Sequence, residues 1–579
     1  MSPRPAIRLL ILAISGSANL DPIPAMRTPD PTLFPRGRLW WVLLWACLVS
    51  SLYIPTLSNR FDFIDDSILV YPLPPLPLGE RVQLVWDKIV ADYRNLGPFR
   101  PVVWAYWEAQ AELFGAEALP WRLVRLVWTA VATGVLLWLL LELGLRPGAV
   151  ALTAALAMWN PYRSDIWISV TVPEGVAMPF ALLGLVCAIR AARSLHPWAW
   201  DTAGILCVLV ALGCKNTFAA VVPAQVLLRV ASDGQSLREG WRRHGGRACL
   251  LALTLLLPVA HYILFALNWH PGQYRARGPS WGQLRRMLSA VKGAIGIDFT
   301  APGLVLAMLA LLVNGLLTAG SPSERRVFSI VGAARRGFRP LWDQYRTACL
   351  AGLALLVFGI GIYLPMEGVT GRYSMPAVWG ADLWIAALLS TLAGVTAVSW
   401  KRAAYTLLTC GLVALALANL GRQDKSGARA AMLWQALEFV ERQAPPGASL
   451  GWIEGPNLSV AEGIHFSWHL RARGRREVTL RLLDAQGRLR FNREVSGADQ
   501  PLTFLLTGSA QPPPARGWQL PHEFTACYWA RTRCYRCYLW SRETEGSGAR
   551  TERGPEDVAA RMMIGLRLSG ALASRISVV

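Results

Sequence analysis

The stretch RGRLWWVLLWACLVSSLYIPTLSNRFDFIDD, residues 36–66, sets the fold class of this chain. Arg36 and Arg38 precede an apolar run over 39–57, the length a helix needs to cross about 30 Å of hydrocarbon. Basic residues ahead of a first span hold the N-terminus on the cytoplasmic side. The chain therefore emerges on the outer face at Ser58 and meets the adjacent carboxylates Asp65 and Asp66. Two neighbouring carboxylates at a membrane surface repel one another. That favours either a raised pKa on one of them or a bound divalent cation, Mg or Mn, and both suit acid/base or metal chemistry. The bland alternative is a solvated loop or a helix cap, and Asp62 reads as a turn residue.

Working outward, further apolar runs fall at 122–144, 147–162, 167–190, 199–214, 217–230, 248–268, 301–320, 347–365, 376–398 and 403–420. This gives an α-helical polytopic membrane protein of roughly eleven spans. The third, fifth and sixth are short enough to be tilted, broken or buried in the bundle. Two long arginine-rich segments, SDGQSLREGWRRHGGR and SPSERRVFSIVGAARRGFRPLWDQYR, fall on the cytoplasmic side of this topology, and the tail from 422 falls outside. The formal charge of +21 is thereby explained by a membrane surface and not by nucleic acid. A hydrophobic content of 53% and a mean hydropathy of +0.33 exclude an ordinary soluble domain.

The organisation expected is a cytoplasmic segment 1–38, a membrane module 39–421 with an outward first loop 58–121, a small β-rich outward domain 422–540, and a loose polar tail 541–579. The apolar run near the start, LLILAISGSANL, is too short to span and lacks a signal-peptide cleavage site, so residues 1–25 read as an extension ahead of Met26. In the first loop, ERVQLVWDKIVADYR has helical amphipathic spacing and is expected to lie along the membrane face, walling a lateral path for a lipid. In the tail, EVTLRLLDAQGRLRFNREV reads as two strands around a DAQG turn.

Seven of the ten cysteines lie in apolar runs as small hydrophobes, while one disulfide can form among Cys527, Cys534 and Cys537. His465 and His469 have the spacing of two metal ligands on a helix, yet the surrounding alternation reads as a strand, and no acidic ligand accompanies them. The 26 tryptophans mostly flank spans as an aromatic belt.

Charged residues at the outer ends of later spans are costly without partners. Asp165, Glu174, Lys215 and Arg372 all fall there, and they are expected to converge with the acidic pair on one cavity. The alternative for each is an interfacial charge that reaches to water. Cations beside a carboxylate pair are what a phosphate-bearing donor requires, with a carboxylate to take the proton of the acceptor.

Over residues 39–400 the chain resembles the C-type (GT-C fold) polytopic glycosyltransferases, in particular their protein O-mannosyltransferase-like and tetratricopeptide-associated transmembrane mannosyltransferase-like branches. The acidic pair after an aromatic run is FDFIDD. A Phe/Tyr-Arg-Pro element appears as Phe99-Arg100-Pro101, and the Phe-Gly that ends the following helix as Leu113-Phe114-Gly115. The family's His-Pro-x-His-x-Glu element is NPYRSD here, with Asn160 and Arg163 at the histidine positions and Asp165 for the Glu. Its Lys-Glu pair is Lys215-Asn216, and its Arg-Tyr element is Arg372-Tyr373 with Pro376 one residue early and Gly380. The tail carries no tetratricopeptide repeats.

The resemblance implies an enzyme of a bacterial inner membrane, its active site facing the periplasm. It would transfer a sugar from a polyprenyl phosphate to a hydroxyl of a polysaccharide, lipid or protein acceptor, with inversion. Asp65 is then the general base, and Asp66 positions it or holds the cation. Arg372, Lys215 and Arg100 bind the donor phosphate, Arg100 also bracing the loop, while Asp165, Arg163 and Tyr373 support the acceptor. Two other classes remain open: a transporter or flippase of lipid-linked sugars, and an inactive relative acting as an assembly subunit. The departures at Asn160, Arg163 and Asn216 keep the second of these open.

Overall fold

The structure is a computed structural model. It describes residues 36–63, 66, 70–71, 77–96, 99–232, 236–260, 280–317, 330–364, 371–395, 398–455, 457–475, 477–483, 502–510, 518–519, 521–528 and 533–542.

The chain is mostly helical. In order come α1 (Arg36–Ser50), α2 (Leu78–Leu96), α3 (Pro101–Phe114), α4 (Ala118–Glu142), α5 (Pro147–Met158), α6 (Asp165–Ile168), α7 (Glu174–Arg193) and α8 (Pro197–Cys214). They are followed by α9 (Val222–Ala231), α10 (Leu237–Leu253), α11 (Trp281–Ile295), α12 (Ile297–Leu317), α13 (Ile330–Gly361), α14 (Met375–Leu392) and α15 (Val398–Gln443). Among the described residues eight helices are long and apolar enough to cross a membrane, and shorter apolar helices lie at Pro147–Met158 and Asn216–Ala231. Ten of the eleven expected spans thus correspond to apolar helices of the fold. The other, over 248–268, begins on α10 and runs beyond residue 260, outside the described residues.

Close helix packing follows from small residues, which let backbones approach where lipid offers no hydrophobic drive. A Cβ placed on Gly380 of α14 would lie 2.3 Å from the carbonyl oxygen of Gly352 on α13. α13 departs from helical geometry at Tyr345 (φ −121°, ψ 24°), which separates an arginine-rich first part from the apolar second part. Charges inside the bundle are paired. Arg163 donates to both oxygens of Asp382 on α14 at 2.7 and 2.8 Å, and Arg229 of α9 does so to Asp201 of α8 at 2.8 and 3.3 Å.

α15 does not stop at the membrane surface. Its 46 residues continue through 421 as a helical stem to Gln443, so residues 422–443 extend the last span. Beyond it lie β1 (Ser449–Ile453), α16 (Val460–Ala472), β2 (Thr479–Leu483), β3 (Phe504–Thr507), β4 (His522–Tyr528) and β5 (Arg533–Ser541). The sheet order is β2-β1-β3-β5-β4. β1 is parallel to β2 and β3, and the β5 pairings are antiparallel.

A small C-terminal sheet is therefore present. The first run of the expected hairpin is β2, which pairs with β1, and the second run lies outside the described residues. Where alternation suggested a strand at His465–His469, the structure has the helix α16. Ser459 and Glu462 form a capping box at its start, and that local signal outweighs the alternation. The tail disulfide joins Cys527 to Cys534 across β4 and β5.

Asp382→Ala would strand the Arg163 guanidinium in the bundle, a loss of about 3–5 kcal/mol. A marked fall in melting temperature is expected, recovered in large part by the double change Arg163→Met/Asp382→Leu. An Asp382→Ala protein as stable as wild type would contradict the clamp.

Candidate functional site

The loop that begins at Ser58 is fixed from both sides of the acidic pair. On the N-terminal side Phe61 is buried edge-on against Trp121 at 6.2 Å. Phe63 is buried among Trp434 of the stem and Phe466 and His469 of α16, with ring centroids at 5.3, 5.9 and 4.9 Å. Trp434 Nε1 donates to the Phe61 carbonyl at 2.9 Å, and Tyr71 Oη lies 3.0 Å from His469 Nδ1. The tail domain thus grips the loop through aromatic faces.

On the C-terminal side Asp66 is fully buried. Its Oδ1 accepts from Ser169 Oγ at 2.7 Å, Val170 N at 2.8 Å, Thr171 N at 3.2 Å and Thr171 Oγ1 at 3.3 Å. Its Oδ2 accepts from the Asp62 amide at 3.2 Å and lies 3.9 Å from Arg122 Nη2. A cation at Asp66 would have to displace these donors, so the residues present there do not suit the Mg or Mn expected. No group of three His, Cys, Asp or Glu side chains among the described residues could share one either. Asp66 anchors the loop. Asp65, the expected base, lies outside the described residues.

The turn that grips Asp66 leads directly into Glu174, the first residue of α7. Glu174 is buried; it pairs with Lys215 Nζ, and Arg372 Nε lies 3.8 Å away. Lys215 follows the end of α8 and Arg372 precedes α14, so three helix ends meet here. The Tyr373 ring centroid lies 3.8 Å from Lys215 Nζ and 5.7 Å from Arg372 Cζ, two cation–π contacts from one ring. One Glu174 oxygen, Oε2, is buried with no hydrogen-bond partner among the described residues.

Arg122 and Arg125 of α4, three residues apart, lie on the same side of that helix and are both buried. Arg122 donates to the carbonyls of Asn59, Arg60 and Ile168. Arg125 donates to those of Val170 and Val172, and its charged neighbours are Asp66 and Glu174. Gly175 makes room for it: a Cβ there would lie 1.7 Å from Arg125 Nη1. Among the described residues the cluster therefore holds four buried or half-buried cations against two buried carboxylates, with the half-buried Asp62 a further charged neighbour of Arg122.

Of the four charges expected to converge, Glu174, Lys215 and Arg372 do so, and Tyr373 joins them. Asp165 instead pairs with Arg422 of the stem at 2.7 Å. Arg163, expected near an acceptor, is occupied by Asp382 and by the Ala294 carbonyl at 2.6 Å. Asn160 donates to the carbonyls of Gly293 and Ala294 at the end of α11, so both residues at the histidine positions serve packing. Arg100, expected on the donor phosphate, pairs with Asp92 at 2.7 Å, and Trp104 Nε1 donates to the same oxygen. It braces α2 against α3. The expected helix over 80–94 is α2.

Sequence reading left out Arg122 and Arg125 as site members. Two arginines at i and i+3 in an otherwise apolar span are a signal that would have found them.

No family model matches the chain, and no curated protein matches it. Among solved structures it is similar to ArnT from Cupriavidus metallidurans bound to undecaprenyl phosphate, at 12% identity and a TM-score of 0.41, over 88% of this chain and 99% of that one. It is also similar to the same protein in the apo state, at 13% identity and a TM-score of 0.37, over 87% and 98%.

Burial depresses the His469 pKa to about 3, helped by His465 and Arg473, against an ordinary value of 6.5. The ring is neutral in the fold, so its contribution is whole above pH 6.5 and is lost as pH falls toward 3, at about 1.4 kcal/mol per unit. Thermal unfolding should therefore fall on acidification below pH 6.5, and less steeply in His469→Gln. Parallel pH curves for the two proteins would contradict this grip on the loop.

Proposed function

We propose that the chain is a membrane glycosyltransferase of the GT-C type, moving a sugar from a polyprenyl phosphate to an acceptor hydroxyl on the outer face of a bacterial inner membrane. The observation that carries this reading is the excess of buried cations around Glu174. Charges withdrawn from water need counter-charge, and Lys215 and Arg372 lie at helix ends where a lipid phosphate can bring it. A diester phosphate carries one negative charge; once the sugar leaves, the phosphate monoester carries nearly two. The same cations therefore hold the product-like state more strongly than the substrate, which is the requirement for catalysis.

In this mechanism the acceptor oxygen attacks the anomeric carbon from the face opposite the phosphate. The C1–O bond to phosphate breaks, the polyprenyl phosphate leaves with the bond electrons, and the acceptor proton passes to the Asp65 carboxylate. Configuration at the anomeric carbon inverts. Asp66 holds the loop that carries Asp65, and Arg100 keeps α2 and α3 together as its outer wall. No step is routed through a metal ion.

Orientation is supported by charge. α7 begins at Glu174 and ends at Arg190 and Arg193, and α14 begins beside Arg372 and leads to Lys401 and Arg402. The positive-inside rule puts the Arg190 and Lys401 ends in the cytoplasm, and hence the Glu174 cluster in the periplasm.

With undecaprenyl-phosphate mannose as donor, sugar release or transfer by Asp65→Asn should fall by about 100-fold or more, while Lys215→Met and Arg372→Met should weaken undecaprenyl phosphate binding. Equal turnover by wild type and Asp65→Asn would reject the base.

A further inference from the structure

A concavity of about 570 Å3 lies between the stem and the tail sheet, and none of Glu174, Lys215 and Arg372 lines it. Its volume falls in the range of small-ligand sites, about 300–1,000 Å3. Asp62 and Phe63 form one wall, so it opens beside the segment that carries Asp65. Asp165 forms another. The chain from Asp165 to Glu174 therefore has this cleft at one end and the cation cluster at the other, with the Asp66 anchor between.

The cleft's charges do not cancel: four cations, Arg422, Lys425, Arg429 and Arg533, face three carboxylates, Asp62, Asp165 and Glu462. Asp165 is matched by Arg422 at 2.7 Å, and Glu462 by Arg429 at 2.6 Å while also capping α16. Lys425 and Arg533 also line the cleft, and neither has a carboxylate partner among the described residues. Beside them stand two tyrosines, Tyr528 and Tyr535, their rings stacked at 5.2 Å and 29°. The Cys527–Cys534 bond lies next to Tyr528 and Arg533 in the register of β4 and β5 and fixes that end of the hairpin. Tyr528 covers one face of the buried Tyr535 ring and the Arg429 guanidinium lies 5.9 Å from that ring's centroid, so the pair forms a wall of the cleft. Ion-paired carboxylates retain lone pairs for hydroxyls, and unmatched cations call for an acid.

We propose that this cleft is the acceptor site and that the acceptor is an acidic saccharide, its phosphate or carboxylate held by Lys425 and Arg533. The inference rests on the transferase reading for the word acceptor, though not for the binding itself. A hydroxyl of a sugar seated there lies beside the Asp65 segment, while its charge is held on the tail side. This gives the tail domain two tasks, to grip the loop and to select the acceptor. Membership of Arg429 and Arg422 in fixed ion pairs leaves Lys425 and Arg533 as the residues that set the preference for acid.

The test is calorimetric titration of the full-length protein in detergent with mannose 6-phosphate, glucuronic acid, mannose and inorganic phosphate. One or both acidic sugars should bind, distinguishing phosphate from carboxylate, with mannose and bare phosphate about tenfold weaker or more. The double variant Lys425→Gln/Arg533→Gln should lose about tenfold in affinity for the acidic sugar at an unchanged melting temperature, since both side chains are exposed. Mannose or inorganic phosphate binding as tightly as the acidic sugars would overturn the proposal, as would a double variant that binds like wild type. Sugar release from undecaprenyl-phosphate mannose, measured on the same preparation, separates the two readings. Release without saccharide binding rejects the cleft alone, whereas saccharide binding without release supports the cleft and counts against the transferase.

Discussion

The Asp66 carboxylate, buried and holding the Ser169–Thr171 turn through both backbone amides and both hydroxyls, is the contact on which the rest of the site depends. It joins the outward loop to the turn that launches α7. Through that turn it sets where Glu174 lies, and through Glu174 where Lys215 and Arg372 meet. A buried carboxylate with this many donors is inflexible, because losing any one of them leaves a polar group without water or partner. On its other side, Phe63 is wedged into rings from the stem and α16. The loop is consequently held between the membrane bundle and the tail sheet, and the expected base lies in the short interval between those two attachments.

The second organising feature is an unequal count of charge. Bundle interiors tolerate ions in pairs, as Arg163–Asp382 and Arg229–Asp201 show at distances below 3 Å for their closest contacts. The cluster around Glu174 departs from that pattern, with Arg122, Arg125, Lys215 and Arg372 sharing Glu174 and Asp66. Arg122, and Arg125 through Nη2, donate to backbone carbonyls, which fixes the loop geometry but does not neutralise charge, while Arg125 Nε and Nη1 have no hydrogen-bond partner among the described residues. Tyr373 supplies two cation–π contacts, again without charge. In the proposed function a lipid phosphate completes this site at the helix ends where Lys215 and Arg372 approach.

Much of this was legible in the sequence, and the failures have physical causes. Apolar runs located the helices well because length and hydropathy are local properties. The tail disulfide fell within the three cysteines singled out. The alternation around His465 misled because only a few residues carried it, whereas the Ser459 and Glu462 cap that decides for helix is a tertiary-independent signal that went unweighed. Asp66 was read as chemistry because adjacent carboxylates repel in the chain. In the fold Asp66 is drawn into the bundle by a turn more than a hundred residues away. Arg163 and Arg100 were likewise read by position in a motif, when their partners Asp382 and Asp92 decide what they do.

The central claim is that a lipid phosphate completes the cation cluster beside the anchored loop. A cryo-electron microscopy structure of the protein with undecaprenyl phosphate tests it most directly. The account expects phosphate oxygens about 2.7–3.0 Å from Lys215 Nζ and the Arg372 guanidinium, with the Asp66 hydrogen bonds intact. A lipid phosphate seated elsewhere, with no phosphate oxygen at Lys215 or Arg372, would contradict it.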